Sequence, residues 1–508
     1  MNPVWIKHAL VGVNGPLPAA PALDNDGEVD ALLAEIGKQG DDPALHFSRA
    51  AGALGACRLA AVALTPSSDT VPAPASDDPH ALDIAHPWSA ALADVFADAP
   101  LRVQYLACQR LAEHAAHLPT TVVPRALDAG RRSVPLRAVL PPVLGSRGKW
   151  LAQFNPEWKF AAPTATAALA EDDSGKRWEE GSFDERLLHL RELRARDPAA
   201  ARALLQSQLG EFAAKERLSF VEALADGLHD DDEALLQPLL KDRSRDVKLA
   251  AAMLLARLPA SEHAKRLIGW VAPLVTSKRN LIGRTSWQCE APQALDSAWA
   301  AAAVDGKRPQ YEALGERGWW LYQLVRQVPL SWWSTHTGMS ATELIAWAGK
   351  TDWKEALRRG WRERVGADDR DWIEAMLDAG GKAVGGDRAG LLALLPTPLR
   401  ERHWPKTLDE LCRQGLVADV VGSCALGETL SPTYSRVLLL GLRMAMGNDR
   451  LRHDYYLRSQ LLELAAVLHP DCLSSWQTTP RRGDETTAMA ESIHDIERVL
   501  SIRLALLC

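Results

Sequence analysis

The architecture of this chain is written most plainly in Leu235-Leu-Gln-Pro-Leu239-Leu240-Lys-Asp242-Arg-Ser244-Arg-Asp246-Val247-Lys248-Leu-Ala-Ala251-Ala-Met-Leu254-Leu255. Leu235, Leu236, Leu239 and Leu240 recur at helical spacing, and Ser244 then caps a second helix carrying Val247, Ala251, Leu254, Leu255 and Leu258, which Pro259 ends. Upstream the pattern repeats. Leu187, Leu190 and Leu193 line one face, Asp197-Pro198 opens a helix with Leu204, Leu205 and Leu209, and Leu218, Val221, Leu224 and Leu228 form another stripe. The run Asp230-Asp231-Asp232 offers a cap and negative charge to the helix that follows it. Short antiparallel helix pairs that each need a neighbour to cover an apolar face predict an all-α protein built as an α-solenoid.

The pair around Asp242 resembles a HEAT repeat. In such repeats an Asp occupies the turn between the helices and a basic residue of the second helix reaches back to it. Asp242 and Lys248 hold those positions, so the resemblance implies that they form the repeat turn.

Further out, Asp42-Pro43 starts a helix to about Leu64, and the Pro-, Ser- and Asp-rich stretch 65–79 reads as a mobile loop. Helical patterning returns through Trp88–Phe96 and Leu101–Leu118. Past the repeats, capping boxes stand at Ser340/Glu343 and Thr407/Glu410, and Ser431-Pro432 opens a helix with Leu438, Leu439, Leu442 and Met446. The expected organisation is an N-terminal helical domain over 1–144, a Trp-rich junction and linker over 145–182, HEAT-like repeats over 183–300, and a helical region over 301–508 that continues the stack.

Composition narrows the function. A net charge of −7 argues against a general nucleic-acid binder. Of 58 basic residues 43 are arginine, a bias of the kind a GC-rich genome produces. The seven cysteines are scattered and never form CxxC, which fits reduced thiols in a cytoplasmic protein. No signal peptide is legible in Met1–Gly15. The longest apolar run, Ala50–Leu64, is interrupted by Arg58, so no membrane span is expected.

Gly145-Ser-Arg147-Gly148-Lys-Trp150-Leu-Ala-Gln-Phe-Asn155-Pro156-Glu-Trp158 resembles the RGxWLAxxNPxW signature of an uncharacterised bacterial family with HEAT-like helical repeats. The resemblance extends to Ala9-Leu-Val-Gly12, to Leu127–Leu144 and to Asp184–Pro259. It departs at Val13-Asn14, where the family tends to show Thr-Glu-Arg. Members are typically encoded beside a MoxR-type AAA ATPase, a von Willebrand factor A-domain protein and a SWIM zinc-finger protein. The resemblance thus implies protein partners of those kinds, and it implies no activity or cofactor. From the residues themselves, Pro156 forces Asn155 out of the helical region and Gly148 frees the backbone where the helix begins. Trp150 and Trp158 are then expected to clamp the N-terminal domain onto the solenoid, with Arg147 and Asn155 as a contact site beside the clamp.

Other constellations compete with plain packing. Arg131 and Arg132 lie in a basic run, 125–149, that suits an acidic partner or simply solvent. Eight of the 18 tryptophans fall in 319–372 among arginines. Trp347, Trp361 and Trp372 sit on helix stripes and read as core. Trp332 and Trp333, between Pro329 and the Ser340 cap, read as a loop and an exposed anchor. His114-x-x-His117 with Cys108, and His469-x-x-Cys472, are too incomplete for a metal site, and Ser146-x-x-Lys149 lacks the companions of a Ser-Lys enzyme. The expected function is a non-catalytic scaffold or adaptor. A nucleic-acid-binding HEAT-repeat protein of the DNA glycosylase kind, or a hydrolase with an unrecognised site, are the alternatives.

Overall fold

The computed structural model describes residues 13, 27–38, 42–60, 73–162, 178–179, 181–279, 285–380, 387–446, 450–476 and 486–507. They are mostly helical, as the spacing predicts. The chain divides into two compact units, Met1–Pro74 and Ala75–Cys508. In the first, the helices Gly27–Gly37 and Pro43–Ala60 pack around Leu33, Ala50 and Leu54. Asp42 caps the second of them by accepting from the Ala44 N–H at 2.9 Å. The part of the expected loop that covers 65–72 lies outside the described residues.

In the second unit, helices pack mostly on near neighbours in sequence. Phe183–Arg196 packs on Pro198–Gln208 and on Ala214–Ala223, which packs on Arg245–Ala256, and that helix on Glu262–Val271. The succession continues through Glu316–Val325, Lys354–Arg364, Ala341–Ala348, Arg370–Asp378, Arg388–Ala393, Val417–Ser423 and Tyr455–Val467 to Thr487–Ala505. One core runs from Trp178 to Leu258. A second joins residues 88–161 to 267–506.

This joining moves a boundary. The helix Pro87–Asp98 packs on Thr487–Ala505, and Leu101–Glu113 packs on Tyr455–Val467. Residues 75–144 are therefore folded with the last helices of the chain rather than forming a domain that ends at 144. The contacts are polar at the rim: Arg498 pairs with Asp98 at 2.6 Å, and Arg102 donates to the carbonyls of Val421 and Ala425 at 2.9 Å each.

The one strand pair among the described residues interrupts the helices. Val275–Arg279 and Thr285–Cys289 run antiparallel, with Val275 opposite Cys289 and Ser277 opposite Trp287. Its signal in sequence is short, and it is held from outside by the Trp347 indole N–H on the Trp287 carbonyl at 2.9 Å.

Many arginines have a specific structural use. Helix C-termini leave unsatisfied carbonyls that carry the negative end of the helix dipole, and a guanidinium satisfies both at once. Arg364 reaches the Ala256 carbonyl, Arg110 that of Leu506, and Arg400 those of Leu392 and Leu395. Arg503 donates to Ala465 at 2.6 Å and to Leu468 at 2.5 Å, and its burial lowers its pKa to about 10. Each contact links one helix end to a different helix, so these arginines contribute to the order of packing.

Candidate functional site

The signature folds as a helix, Gly145–Ala152, followed by a 3-10 turn, Pro156–Ala161. Asn155 is extended, as Pro156 requires, and its side-chain oxygen accepts from the Glu157 N–H at 3.0 Å. Asn155 is thus a cap. The backbone freedom that the sequence suggests for Gly148 is used by Gly145 instead. Gly145 has the left-handed backbone, with φ +66°, while Gly148 lies inside the helix, where a Cβ would stand 2.7 Å from the Leu144 Cβ. Close approach, rather than freedom at a helix start, requires Gly148.

The Trp158 indole donates to Asp128 at 3.1 Å, and the principal contacts of these elements all lie within 123–161. Trp158 therefore closes its own helical group and does not bridge to the helices beyond 183. Trp150 is half-buried, edge-on to Phe154 with the Arg147 guanidinium over its ring. The indole that anchors the 183–258 core is Trp178, which is buried among Phe212 and Phe220 and donates to Gln208 at 2.7 Å.

The expected basic run is committed in part. Arg131 pairs with Glu157 at 3.3 Å and lies near Asp128, and Arg137 donates to the Gly130 and Arg131 carbonyls. Arg132 and Arg147 are exposed.

Gly145 brings together residues that sequence spacing could not connect. Its left-handed turn aims the Ser146 N–H at Asp78 Oδ2, 2.9 Å away, and the same carboxylate accepts from His117 Nδ1 at 2.8 Å. Burial alone would raise the Asp78 carboxyl, but the His117 and Ser146 hydrogen bonds outweigh it and hold the group below its ordinary value. The Ser146 hydroxyl donates to the Ser76 carbonyl at 2.7 Å, not to the imidazole. An Asp, a His and a Ser meet here without a serine-to-histidine proton path, and their evident work is to fasten the strap at 76–81 onto the helix at Gly145. Residues 76–79 are accordingly held in place, contrary to the loose loop expected there. His114 is bonded instead to the Arg110 carbonyl, so it and His117 serve separate partners.

Asp242 does sit in the turn between two helices, but its partner is not Lys248. Arg217, on the preceding Ala214–Ala223 helix, donates to both carboxylate oxygens at 3.1 Å, and the Ser244 N–H adds a bond at 2.7 Å. Burial works against the charge, and these bonds lower the Asp242 carboxyl nonetheless, with Lys248 contributing only at longer range. Arg reaches two oxygens through its planar fork, which a lysine cannot do. Asp232 likewise is no solvated cap: it is fully buried against Arg194.

Four tryptophans of 319–372, Trp332, Trp333, Trp361 and Trp372, pack in a chain on one another, while Trp319 meets Tyr322 and Trp320 meets Trp299. Trp332 and Trp333 lie on a helix, Leu330–Thr337, not on a loop. Trp333 is fully buried and meets Trp361 edge-on at 5.1 Å, which meets Trp372 at 5.2 Å. Trp332 is half-buried and stacks on His336. Arg317 lies over Trp353, and Arg359 lies over Tyr322 while pairing with Glu312, so the interleaved cations are engaged internally.

The strongest exposed apolar feature lies elsewhere. The helix Pro432–Met446 buries Tyr434, Leu438, Leu439, Leu442 and Met446. It also exposes Val437, Leu440 at 64% and Met444 at 72%, spaced i, i+3 and i+7. Tyr455 and Tyr456 are exposed a few residues on. A second apolar face on a helix whose first face is already buried is what an interaction surface requires. The sequence signal was the density of the run Val437–Leu442, more than one buried stripe needs.

A mostly helical chain with such a surface defines a class but not an activity. The chain belongs to DUF5691, a family of unknown function, whose profile matches residues 5–507. Comparison with curated proteins and with solved structures gives no match. Among the described residues, no helix is long and apolar enough to cross a membrane.

Proposed function

We propose that the chain is a HEAT-like α-solenoid that acts as a non-catalytic scaffold or adaptor, working with a MoxR-type AAA ATPase and a von Willebrand factor A-domain protein, and with a SWIM zinc-finger protein as a further partner. The partners come from the signature resemblance. The succession of helices packed on near neighbours supports the solenoid, since that mode of packing builds long surfaces. The observation that carries the interaction role is the exposed stripe Val437, Leu440 and Met444 on a helix already buried on its other side. Apolar side chains displayed in line at helical spacing suit docking of a partner helix.

The nucleic-acid reading draws no support from the Trp and Arg residues of 319–372 described above, which are engaged by other residues of the chain. The test is co-purification of the tagged full-length chain with the products of neighbouring genes. Recovery of the ATPase or the A-domain protein is expected, and its loss on Leu440→Glu with Met444→Glu. Recovery of neither partner by the wild-type chain removes the reading.

A further inference from the structure

A cavity of about 260 Å³ opens where the helix Arg245–Ala256 meets the turn after the 3-10 helix Ser297–Ala302. One wall carries Arg243, Arg245, Lys248 and Leu249, and the other Ala300, Ala303, Val304, Asp305 and Gly306. The second wall is rigidly held. The Trp320 indole donates to the Gly306 carbonyl at 2.8 Å, and buried Gln323 exchanges two hydrogen bonds with the Asp305 backbone, at 2.8 and 2.9 Å. Ala303 adopts φ +54°, a left-handed conformation that a non-glycine residue takes only when its surroundings impose it.

The charges on the lining do not balance. Arg245 is engaged by Asp305, through Nε at 3.0 Å and a second, close contact from Nη2. Arg243, which is exposed, and Lys248 line the same cavity, and neither side chain donates a hydrogen bond to another described residue. Lys248 is half-buried, and Asp242, the carboxylate nearest it in the turn, is already occupied by both arms of Arg217. Asp246 acts on Arg245 but is not among the lining residues. The lining therefore carries three cations against one carboxylate, in a protein whose net charge is −7.

We propose that this cavity is a binding site for a phosphomonoester dianion, with Lys248 and Arg243 as its ligands and Arg245 held ready by Asp305. The surplus of positive charge matches a group that carries about −1.5 to −2 near neutral pH, whereas a carboxylate would leave half of it uncompensated. Lysine offers a point charge and arginine a fork, a combination suited to phosphoryl oxygens. Leu249, Ala300 and Val304 give the organic part of the ligand an apolar wall. The volume fits a phosphoryl group and a short attachment, from either a phosphorylated side chain or a small sugar phosphate.

The inference is independent of the adaptor reading, and its test uses no partner protein. The full-length chain is titrated calorimetrically with a phosphoserine peptide and with ribose 5-phosphate, each beside its unphosphorylated counterpart. Both phosphorylated probes are expected to saturate and the counterparts not to. Arg243→Gln with Lys248→Gln is expected to weaken binding about tenfold or more, since each charged hydrogen bond contributes at least that factor. The variant should melt as the wild type does, because neither side chain holds the fold. A stronger peptide identifies a phosphoprotein as the source, a stronger sugar phosphate a metabolite, and equal binding the phosphoryl group itself. The proposal is overturned if the wild type shows no saturation up to about 10 mM, a ceiling that corresponds to negligible affinity. It is also overturned if the unphosphorylated probes bind equally, or if the double variant binds unchanged.

Discussion

Replacing Arg194 by Met tests how the core from Trp178 to Leu258 holds together. Arg194 donates through Nε to the Asp226 carbonyl at 2.8 Å and through Nη1 to Asp232 Oδ1 at 2.8 Å. Its Nη2 reaches the carbonyls of Leu224 and Gly227 and the second Asp232 oxygen. Both side chains are buried, the Asp232 carboxylate completely. Methionine fills the volume but leaves Asp232 with only Arg202 at 3.4 Å and the His229 N–H at 2.9 Å. Breaking a buried ion pair from one side costs about 3–5 kcal/mol, and the residual Arg202 contact places this case near the lower end. A loss of that size should lower the midpoint by at least several degrees in differential scanning calorimetry.

The pH dependence gives a second reading of the same variant. In the wild type, burial disfavours the Asp232 charge, but Arg194 and the His229 N–H lower the carboxyl below its unfolded value. Its contribution is therefore complete above about pH 4 and is lost as pH falls through the lowered folded value. Without Arg194, burial dominates and the folded pKa rises, so the variant should gain stability relative to the wild type on acidification toward pH 5. Asp232→Asn added to Arg194→Met should recover part of the loss. A cost below about 1 kcal/mol, within the ordinary range of surface substitutions and their scatter, would refute the reasoning, as would a double variant no better than the single.

Further outcomes follow from other contacts. His263 is buried, which lowers its pKa to about 4, and its Nε2 meets Gln327 at 3.0 Å. The unfolded chain takes up that proton first, so stability should fall as pH drops from 6.5 toward 4, by up to about 1.4 kcal/mol per pH unit, and His263→Gln should flatten urea titrations across that window. Gly145→Ala would set a Cβ 1.9 Å from Asp78 Oδ2 at a left-handed φ, so a loss of about 2 kcal/mol or more is expected in thermal melts, with Gly145→Asn milder at the backbone but not at the clash. Arg217→Lys should cost about 1.5–3 kcal/mol by breaking the two-pronged contact with Asp242, whereas Lys248→Gln should stay within about 0.5 kcal/mol; equal costs would restore Lys248 as the turn partner.

The helices were legible because their signals are local. Ser340 and Thr407 cap the helices that follow them through contacts three residues away, and a single sequence displays such spacings directly. Long-range partners were not legible. Nothing in the turn at Asp242 indicates that its cation stands 25 residues upstream, or that Asp78 meets Ser146 across 68 residues. Arginine content looked like codon bias because its use, satisfying carbonyls of other helices, depends on tertiary order. Trp333 was misplaced for a local reason: Pro329 and Ser340 bracket a segment that looks like a loop, yet it has room for the two-turn helix Leu330–Thr337. The exposed stripe at Val437, Leu440 and Met444 was hidden because periodicity reports that a helix is apolar, not which of two apolar faces is covered.

The most direct test of the adaptor account is hydroxyl-radical footprinting of the full-length chain, alone and with the captured ATPase or A-domain partner. Met444, Tyr455 and Tyr456 are exposed, so they are expected to be labelled in the free chain. The account predicts that the partner protects Met444 strongly and the two tyrosines at least in part, while the exposed Tyr311, which is not part of that stripe, keeps its reactivity. Unchanged labelling of Met444 in a complex shown to be intact would contradict it.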